Sequence, residues 1–285
     1  MQFNTPLRYP GGKGRLSQYI ADIIESNDLI SGHYVEPYAG GAGVAISLLF
    51  LEYVSRIHIN DISRSVYAFW YSVLYEAEGL CRLISRKRVS MEEWRRQRDI
   101  QSNPNATLLD RGFSTFFLNR TNRSGIIFGG VIGGQNQDGR WKLDARYNKK
   151  NLIKRIESIA KVSNRIKLYN MDAADYIRDV LPGLPNKTFI YLDPPYYIKG
   201  KGLYEDHYQH HDHEKIAKLI SEINQRWMVS YDNVPEIRSM YGKYRKKKLN
   251  IHYSAHDRYK GSEVLIYCDK LKVPNAIATS RASLS

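Results

Sequence analysis

The stretch Tyr34-Val35-Glu36-Pro37-Tyr38-Ala39-Gly40-Gly41-Ala42-Gly43 runs from a β-rich segment through a glycine-rich turn into the apolar segment Ala45–Tyr53. A strand, a glycine turn and a helix in that order form the first unit of a parallel α/β sheet. Glycines at such a turn let the backbone take positive φ and lie close to a ligand. Outward from this unit the rhythm repeats. β-Rich runs at Tyr34–Pro37, Arg56–Asn60, Arg165–Tyr169, Thr188–Leu192, Arg226–Ser230, Lys247–Tyr253 and Glu263–Cys268 alternate with helix-like stretches. Leu16–Ile24 follows a Gly-Gly-Lys turn, and Asn151–Ile159 repeats Leu152, Ile156 and Ile159 at helical spacing. His213–Ile223 sets Ile216, Leu219, Ile220 and Ile223 on one face, with Asp212 expected as its N-cap.

The 285 residues are 42% hydrophobic and 25% charged, enough for a full globular core. No apolar run reaches the ~18 residues of a membrane span, and Met1–Arg15 lacks the layout of a secretory signal. Cys81 and Cys268 stand far apart in no metal or redox spacing. His207, His210, His211 and His213 cluster irregularly without a cysteine and read as a loop entering a helix. No metal is expected, and the chain reads as cytoplasmic.

The net charge of +14 favours a polyanionic partner. Between Cys81 and Arg155 lie 17 Lys or Arg against 6 Asp or Glu, so this quarter of the chain carries +11 of the excess. It is also rich in Asn, Gly and aromatics, the mixture of a nucleic-acid surface. From Tyr67 to Lys150 the strand–helix rhythm breaks: the chain is helical and basic around Met91–Arg96, then irregular and glycine-rich from Gly125 to Gly139. The expected organisation is a catalytic domain over 1–66 and 151–272, an insertion over 67–150 that carries the partner-binding surface, and a polar, disordered tail over 273–285.

Asp61 ends the second β-run about 20 residues after the glycine turn, where an acidic side chain receives ribose hydroxyls. An acceptor-only carboxylate suits a diol. These residues indicate an adenosine-type cofactor and leave NAD and S-adenosylmethionine both open. Ile190-Tyr191-Leu192-Asp193-Pro194-Pro195-Tyr196 narrows the chemistry. The exocyclic amine of adenine is a poor nucleophile because its lone pair is delocalised into the ring. A carboxylate and a backbone carbonyl accepting its two N–H bonds direct that lone pair toward a methyl donor. Asp193 offers the carboxylate, and Pro194 a carbonyl with no N–H of its own. Tyr196 offers a π-face for a flipped base.

With these motifs in hand, the chain from Leu7 to Cys268 resembles the Dam-type family of DNA adenine-N6 methyltransferases. The motifs occur in the family's order: Arg8-Tyr9-Pro10-Gly11-Gly12-Lys13, the Glu36-Pro37 to Gly43 loop, Asn60-Asp61 and Asp193-Pro194-Pro195-Tyr196. Between them, Phe116-Phe117-Leu118-Asn119-Arg120 through Ser124-Gly125 resembles the start of the family's target-recognition segment. The resemblance implies an α/β class I methyltransferase sheet of seven strands, six parallel and one antiparallel, with S-adenosylmethionine as cofactor and double-stranded DNA as substrate. It implies cofactor contacts from Tyr9, Lys13, Glu36, Tyr38, Gly40, Gly43, Asp61 and Asp193, and catalysis by Asp193, Pro194, Pro195 and Tyr196. DNA contacts are expected from Asn119, Arg120, Asn122 and Arg123, with Lys149 and Lys150 on phosphates and a restriction endonuclease as an associated partner. After Asn119-Arg120 the chain reads Thr121-Asn122-Arg123-Ser124-Gly125-Ile126-Ile127, which departs from the GATC-methylating members. Asp172 follows a β-run where such enzymes touch the cofactor adenine, and reads equally as a helix cap.

Other readings stay open on the sequence. Cytosine-N4 in DNA or adenine in RNA are alternative acceptors on the same fold, although Asp rather than Ser at position 193 favours adenine. A DNA-binding regulator without turnover has no need of Tyr9, Lys13, Asp61 and Asp193 together. An NAD-dependent dehydrogenase leaves the Asp-Pro-Pro-Tyr run and the basic insertion unexplained.

Overall fold

The computed structural model describes residues 5–8, 16–198, 208–251 and 261–274. Seven strands form one sheet: β1 (Gly32–Glu36), β2 (Val54–Asn60), β3 (Ile166–Tyr169), β4 (Thr188–Leu192), β5 (Arg226–Asp232), β6 (Arg245–Ile251) and β7 (Gly261–Tyr267). Their order across the sheet is β3-β2-β1-β4-β5-β7-β6, and β7 alone runs antiparallel to its neighbours. This is the expected six-plus-one sheet, and all seven β-rich runs overlap its strands; His252 and Tyr253 of the sixth run lie outside the described residues. Central strands buried on both faces read as continuous apolar runs, and all five residues of β4 are buried.

Ten helices flank the sheet among the described residues: α1 (Leu16–Ser26), α2 (Gly43–Phe50), α3 (Arg64–Tyr75), α4 (Ala77–Arg86), α5 (Met91–Ser102), α6 (Leu108–Thr121), α7 (Lys149–Ala160), α8 (Ala173–Asp179), α9 (His210–Ser221) and α10 (Pro235–Met240). Their starts follow from side-chain caps. Ser63, Ser90, Thr107 and Asn148 each accept a hydrogen bond from a backbone N–H in the first turn of α3, α5, α6 and α7; such a cap is worth about 1 kcal/mol. The expected start of α9 needs correction. The helix opens at His210, and Asp212 is its third residue, closing a capping box with Gln209 rather than serving as N-cap. Its carboxylate reaches back to the Gln209 N–H and so sets the helix start one turn earlier.

Helix α6 is the hub of the segment that interrupts the strand–helix rhythm. Every residue from Arg111 to Thr121 is buried, as befits a helix packed on all sides. It packs against α3 and α5, with Phe116 stacked on Phe69 at 6.2 Å and Tyr147 closing over Phe116 and Phe117. The expected cuts at 66/67 and 150/151 fall inside α3 and α7, so both helices are continuous across them. From Ile126 to Asn148 the chain is irregular, and it exposes Phe128 and Trp141. No helix is long and apolar enough to cross a membrane among the described residues. Residues 275–285 of the expected tail lie outside the described residues.

Candidate active site

The strand order reverses between β1 and β4, since β1 leads to β2 and β3 on one side while β4 leads to β5 on the other. Ligands of open α/β sheets bind in the crevice at such a reversal, outside the carboxyl ends of the strands. Here β1 and β4 are hydrogen-bonded neighbours in register from His33↔Thr188 to Val35↔Ile190. Glu36 closes β1 and Asp193 follows β4 directly, so the two carboxylates flank the crevice.

Glu36 is buried, and its Oε1 accepts from the Tyr34 hydroxyl at 3.0 Å and from the Ala45 N–H at 3.1 Å. Burial, with a smaller contribution from the charge of Asp193, pushes its carboxyl up to about 8. The glycine turn that follows is shaped by two residues in the left-handed region, Gly40 at φ 47° and Ala42 at φ 45°. Gly40 N–H donates to Asp61 Oδ2 at 2.8 Å, and the Trp70 indole donates to the Gly40 carbonyl at 2.9 Å. Asp61 Oδ1 also accepts from Ser63 N–H at 3.0 Å. Both oxygens of Asp61 are thereby held beside the glycine turn by backbone N–H groups. Tyr38 turns its hydroxyl to Tyr208 at 3.1 Å, and Gly43 opens α2. Tyr9 and Lys13 lie outside the described residues.

Asn60 is a structural element of this loop that its motif position alone did not reveal. It is fully buried, and its amide donates to the Pro37 and Met171 carbonyls and accepts from Met171 N–H. It thus ties the glycine turn and the segment after β3 to the end of β2. Asp172 caps α8, accepting from Ala174 N–H at 2.9 Å.

On the other wall, the Ser230 hydroxyl donates to Asp193 Oδ1 at 2.6 Å, and Ser230 Oγ is itself 2.8 Å from the Tyr191 hydroxyl. With Ser230 donating to the carboxylate, Tyr191 must donate to Ser230, so the polarity runs Tyr191 to Ser230 to Asp193. Pro194 is buried, while Asp193, Pro195 and Tyr196 are half-buried. The Tyr196 hydroxyl donates to Glu263 on β7. The sequence held one signal for Ser230, Asp232 and Glu263: polar residues inside the otherwise apolar runs of β5 and β7.

The residues expected to touch DNA divide. Asn119 accepts from Arg8 N–H at 2.7 Å and donates to the Arg8 and Gly125 carbonyls. Gly125 itself sits at φ 79°, where a Cβ would lie 2.5 Å from the Arg8 carbonyl. The Arg120 guanidinium donates to the Pro6 carbonyl, and Asn122 bonds the carbonyls of Ile126 and Ile127 and the Trp94 indole. These three side chains are buried, whereas Arg123 is exposed. Lys149 is engaged with the Ser85 and Lys87 carbonyls, and Lys150 is exposed. Around Arg120 gather Arg8, Arg146 and Arg155; burial first, then these neighbours, lowers the Arg120 guanidinium to about 9. None of the four forms an ion pair among the described residues.

Two of the clustered histidines pair with acids, His210 with Glu214 and His211 with Asp212. His213 is buried, with its Nδ1 3.1 Å from the Tyr231 hydroxyl, and His207 lies outside the described residues. Among the described residues no three His, Cys, Asp or Glu side chains are grouped as metal ligands.

The crevice fits the cofactor that the resemblance implies. Asp61 presents acceptors for a diol, and Glu36 is a buried carboxylate with no ion-pair partner among the described residues, able to face a sulfonium cation. Residues 9–259 match the family model of D12 class N6 adenine-specific DNA methyltransferases. The chain is 23% identical over 248 residues to the type II methyltransferase M.MjaIII of Methanocaldococcus jannaschii, covering 79% of this chain and 82% of that one. Among solved structures it resembles Escherichia coli yhhF, assigned as a methyltransferase, at TM-score 0.41 and 9% identity over 92% of this chain and 90% of that one. It resembles the rRNA methyltransferase aviRa of Streptomyces viridochromogenes at TM-score 0.38 and 12% identity, over 87% and 83%. On the match across most of its length, the chain belongs to the D12 class of N6 adenine-specific DNA methyltransferases, enzymes that take their methyl group from S-adenosylmethionine.

Proposed function

We propose that this adenine-N6 DNA methyltransferase flips its target base out of the duplex into the crevice between the ends of β1 and β4. The observation that carries the reading is the Ser230-to-Asp193 hydrogen bond of 2.6 Å beside the strand reversal. It fixes the carboxylate of Asp193 to β5 at the mouth of the crevice. Asp193 and the Pro194 carbonyl accept the two amine N–H bonds, which localises the lone pair and stabilises the cation that develops on nitrogen. Tyr196 presents its ring to the flipped base. Asp61 holds the ribose of S-adenosylmethionine and Glu36 faces its positive end, together with Tyr9 and Lys13 from the N-terminal motif. When bound, that group supplies a methyl already activated by the sulfonium.

DNA lies against the basic segment over 67–150. Arg123 and Lys150 are exposed, with Arg123 reading a base edge and Lys150 a phosphate. The guanidinium cluster of Arg8, Arg120, Arg146 and Arg155 has no acidic partner among the described residues and suits a backbone phosphate. The type II designation of M.MjaIII supports an enzyme paired with an endonuclease of the same specificity, and a DNA substrate supports a cytoplasmic one.

The test is expression in a methylation-free bacterial host, followed by genome-wide mapping of modified bases. N6-methyladenine at one short sequence is expected, and Asp193→Ala and Asp193→Asn are expected to erase it while both proteins stay folded. N4-methylcytosine, or near-normal methylation by either variant, overturns the assignment of Asp193.

A further inference from the structure

β5 and β7 are antiparallel neighbours, and Asp232 stands directly opposite Glu263 in their register. Residues opposed across an antiparallel pair share a face of the sheet. Two carboxylates thus lie side by side under the segment that follows the catalytic tetrapeptide, and each holds a different part of it. Asp232 accepts from the Tyr197 N–H at 2.9 Å and from the Ile198 N–H at 3.0 Å, one oxygen for each. Glu263 accepts from the Tyr196 hydroxyl. Glu263 is 2% exposed and Asp232 9%, so both grip from inside the protein.

Burying two carboxylates side by side is unfavourable unless hydrogen bonds compensate. A sheet that needed only stability would place apolar residues here, as it does at Val229↔Ile266 on the same strand pair. The acids sit instead at the two places where the chain beyond Pro195 can be held. A tyrosine ring has two soft torsions, and a stacking platform needs both fixed. Asp232 fixes the backbone just past the ring, and Glu263 fixes the far end of the ring from a strand, a more rigid support than a loop.

We propose that Glu263, with its cross-strand partner Asp232, is a positioning residue for methyl transfer: its hydrogen bond to the Tyr196 hydroxyl sets the plane of the ring against which the flipped adenine stacks. This rests on the reading of Tyr196 as the base platform. Glu263 touches neither the base nor the methyl donor; it acts through Tyr196. Misorientation of a reacting group by a small distance lowers turnover by up to about a hundredfold, so the expected signature is a loss in kcat with KM for S-adenosylmethionine unchanged.

The experiment uses the full-length enzyme and a duplex carrying 2-aminopurine at the mapped target adenine. Glu263→Leu removes the acceptor, Tyr196→Phe removes the donor and keeps the ring, Glu263→Gln keeps an acceptor carbonyl, and Tyr196→Ala removes the platform. Glu263→Leu and Tyr196→Phe are each expected to lower kcat by about tenfold or more and to weaken quenching of the flipped 2-aminopurine. The double variant should be no worse than either single one, because both remove the same bond. Glu263→Gln should recover most of the loss. If Glu263→Leu does not fold, Tyr196→Phe and Glu263→Gln test the bond from its two ends. Impairment in Tyr196→Ala with normal quenching and kcat in Tyr196→Phe overturns the anchor alone. Normal values in Tyr196→Ala overturn platform and anchor together. Additive losses in the double variant also overturn the anchor, since they assign the two residues separate roles.

Discussion

Ser230 and Asp193, 37 residues apart in the chain, are joined by a 2.6 Å hydrogen bond from the Ser230 hydroxyl to Oδ1 of the carboxylate that follows β4. A hydrogen bond to an ionised group is worth about 1.5–3 kcal/mol, which corresponds to roughly ten- to a hundredfold in rate if the whole of it bears on the transition state. Ser230→Ala is therefore expected to lower kcat by about tenfold, with S-adenosylmethionine affinity unchanged. Steady-state assays with tritiated donor measure this, and an unaltered kcat removes Ser230 from the mechanism.

Glu36 predicts a pH-dependent cofactor affinity. Its carboxyl rises from an ordinary 4.5 to about 8 through burial. Stability from the neutral form is full below the unfolded value and is lost as pH rises through the folded one, so the ligand-free enzyme weakens between those limits. A sulfonium cation placed beside Glu36 favours ionisation and releases a proton on binding. Affinity for S-adenosylmethionine should rise with pH over that interval, by up to about tenfold per pH unit. Calorimetry in buffers of different ionisation enthalpy measures the proton released, and Glu36→Gln should flatten the profile.

His58 predicts acid sensitivity of the fold. It is buried between His33, whose Nδ1 lies 3.1 Å from its Nε2, and Tyr169, and burial lowers it to about 4. A depressed histidine contributes stability above its unfolded value near 6.5 that is lost as pH falls toward the folded one. Between about pH 7 and 5 the loss should be roughly 1–2 kcal/mol. Thermal melting across that range should show a smaller decline for His58→Gln than for the parent protein.

The exposed cations separate by their readouts. Arg123→Ala should relax the preference at one base pair, at a cost of about 1–3 kcal/mol. Lys150→Ala should weaken all sequences alike and reduce the log–log salt slope by about 0.9. Methylation of a randomised-site library and binding titrated against salt distinguish the two. An unchanged site preference in folded Arg123→Ala moves base reading to the segment from Gln135 to Arg146.

Most strands were legible because they are local runs of β-branched and aromatic residues bounded by turns; β6, with Arg245 to Lys248 at its start, is the exception. β4 was read to the residue, Thr188 to Leu192, and the others to within a few residues. The placing of Asp193 after β4 and Asp61 after β2 followed from those boundaries. What escaped the sequence was the partner of each polar side chain. Asn119 and Arg120 looked like base readers because their motif lies in a basic segment. Their bonds go to Arg8 and Pro6, 111 and 114 residues earlier, which no local pattern encodes. Glu263 is likewise 67 residues from Tyr196, and only the antiparallel return of β7 brings it under the ring. Asp212 missed its place by three residues because a carboxylate can cap from within the first turn as well as from its head.

Asn119 holds both backbone groups of Arg8 with its side-chain amide and reaches Gly125 with the same nitrogen. One amide is therefore shared by the segment that leads into the N-terminal motif and by the turn that begins the recognition loop. Neither can shift without the other feeling it. If the N-terminal motif holds the cofactor and the loop after Gly125 meets DNA, as proposed above, the two ligands act on each other through this one side chain. Whatever factor DNA adds to the affinity for S-adenosylmethionine along this route, S-adenosylmethionine must add to the affinity for DNA, and cutting the bridge diminishes both by the same ratio.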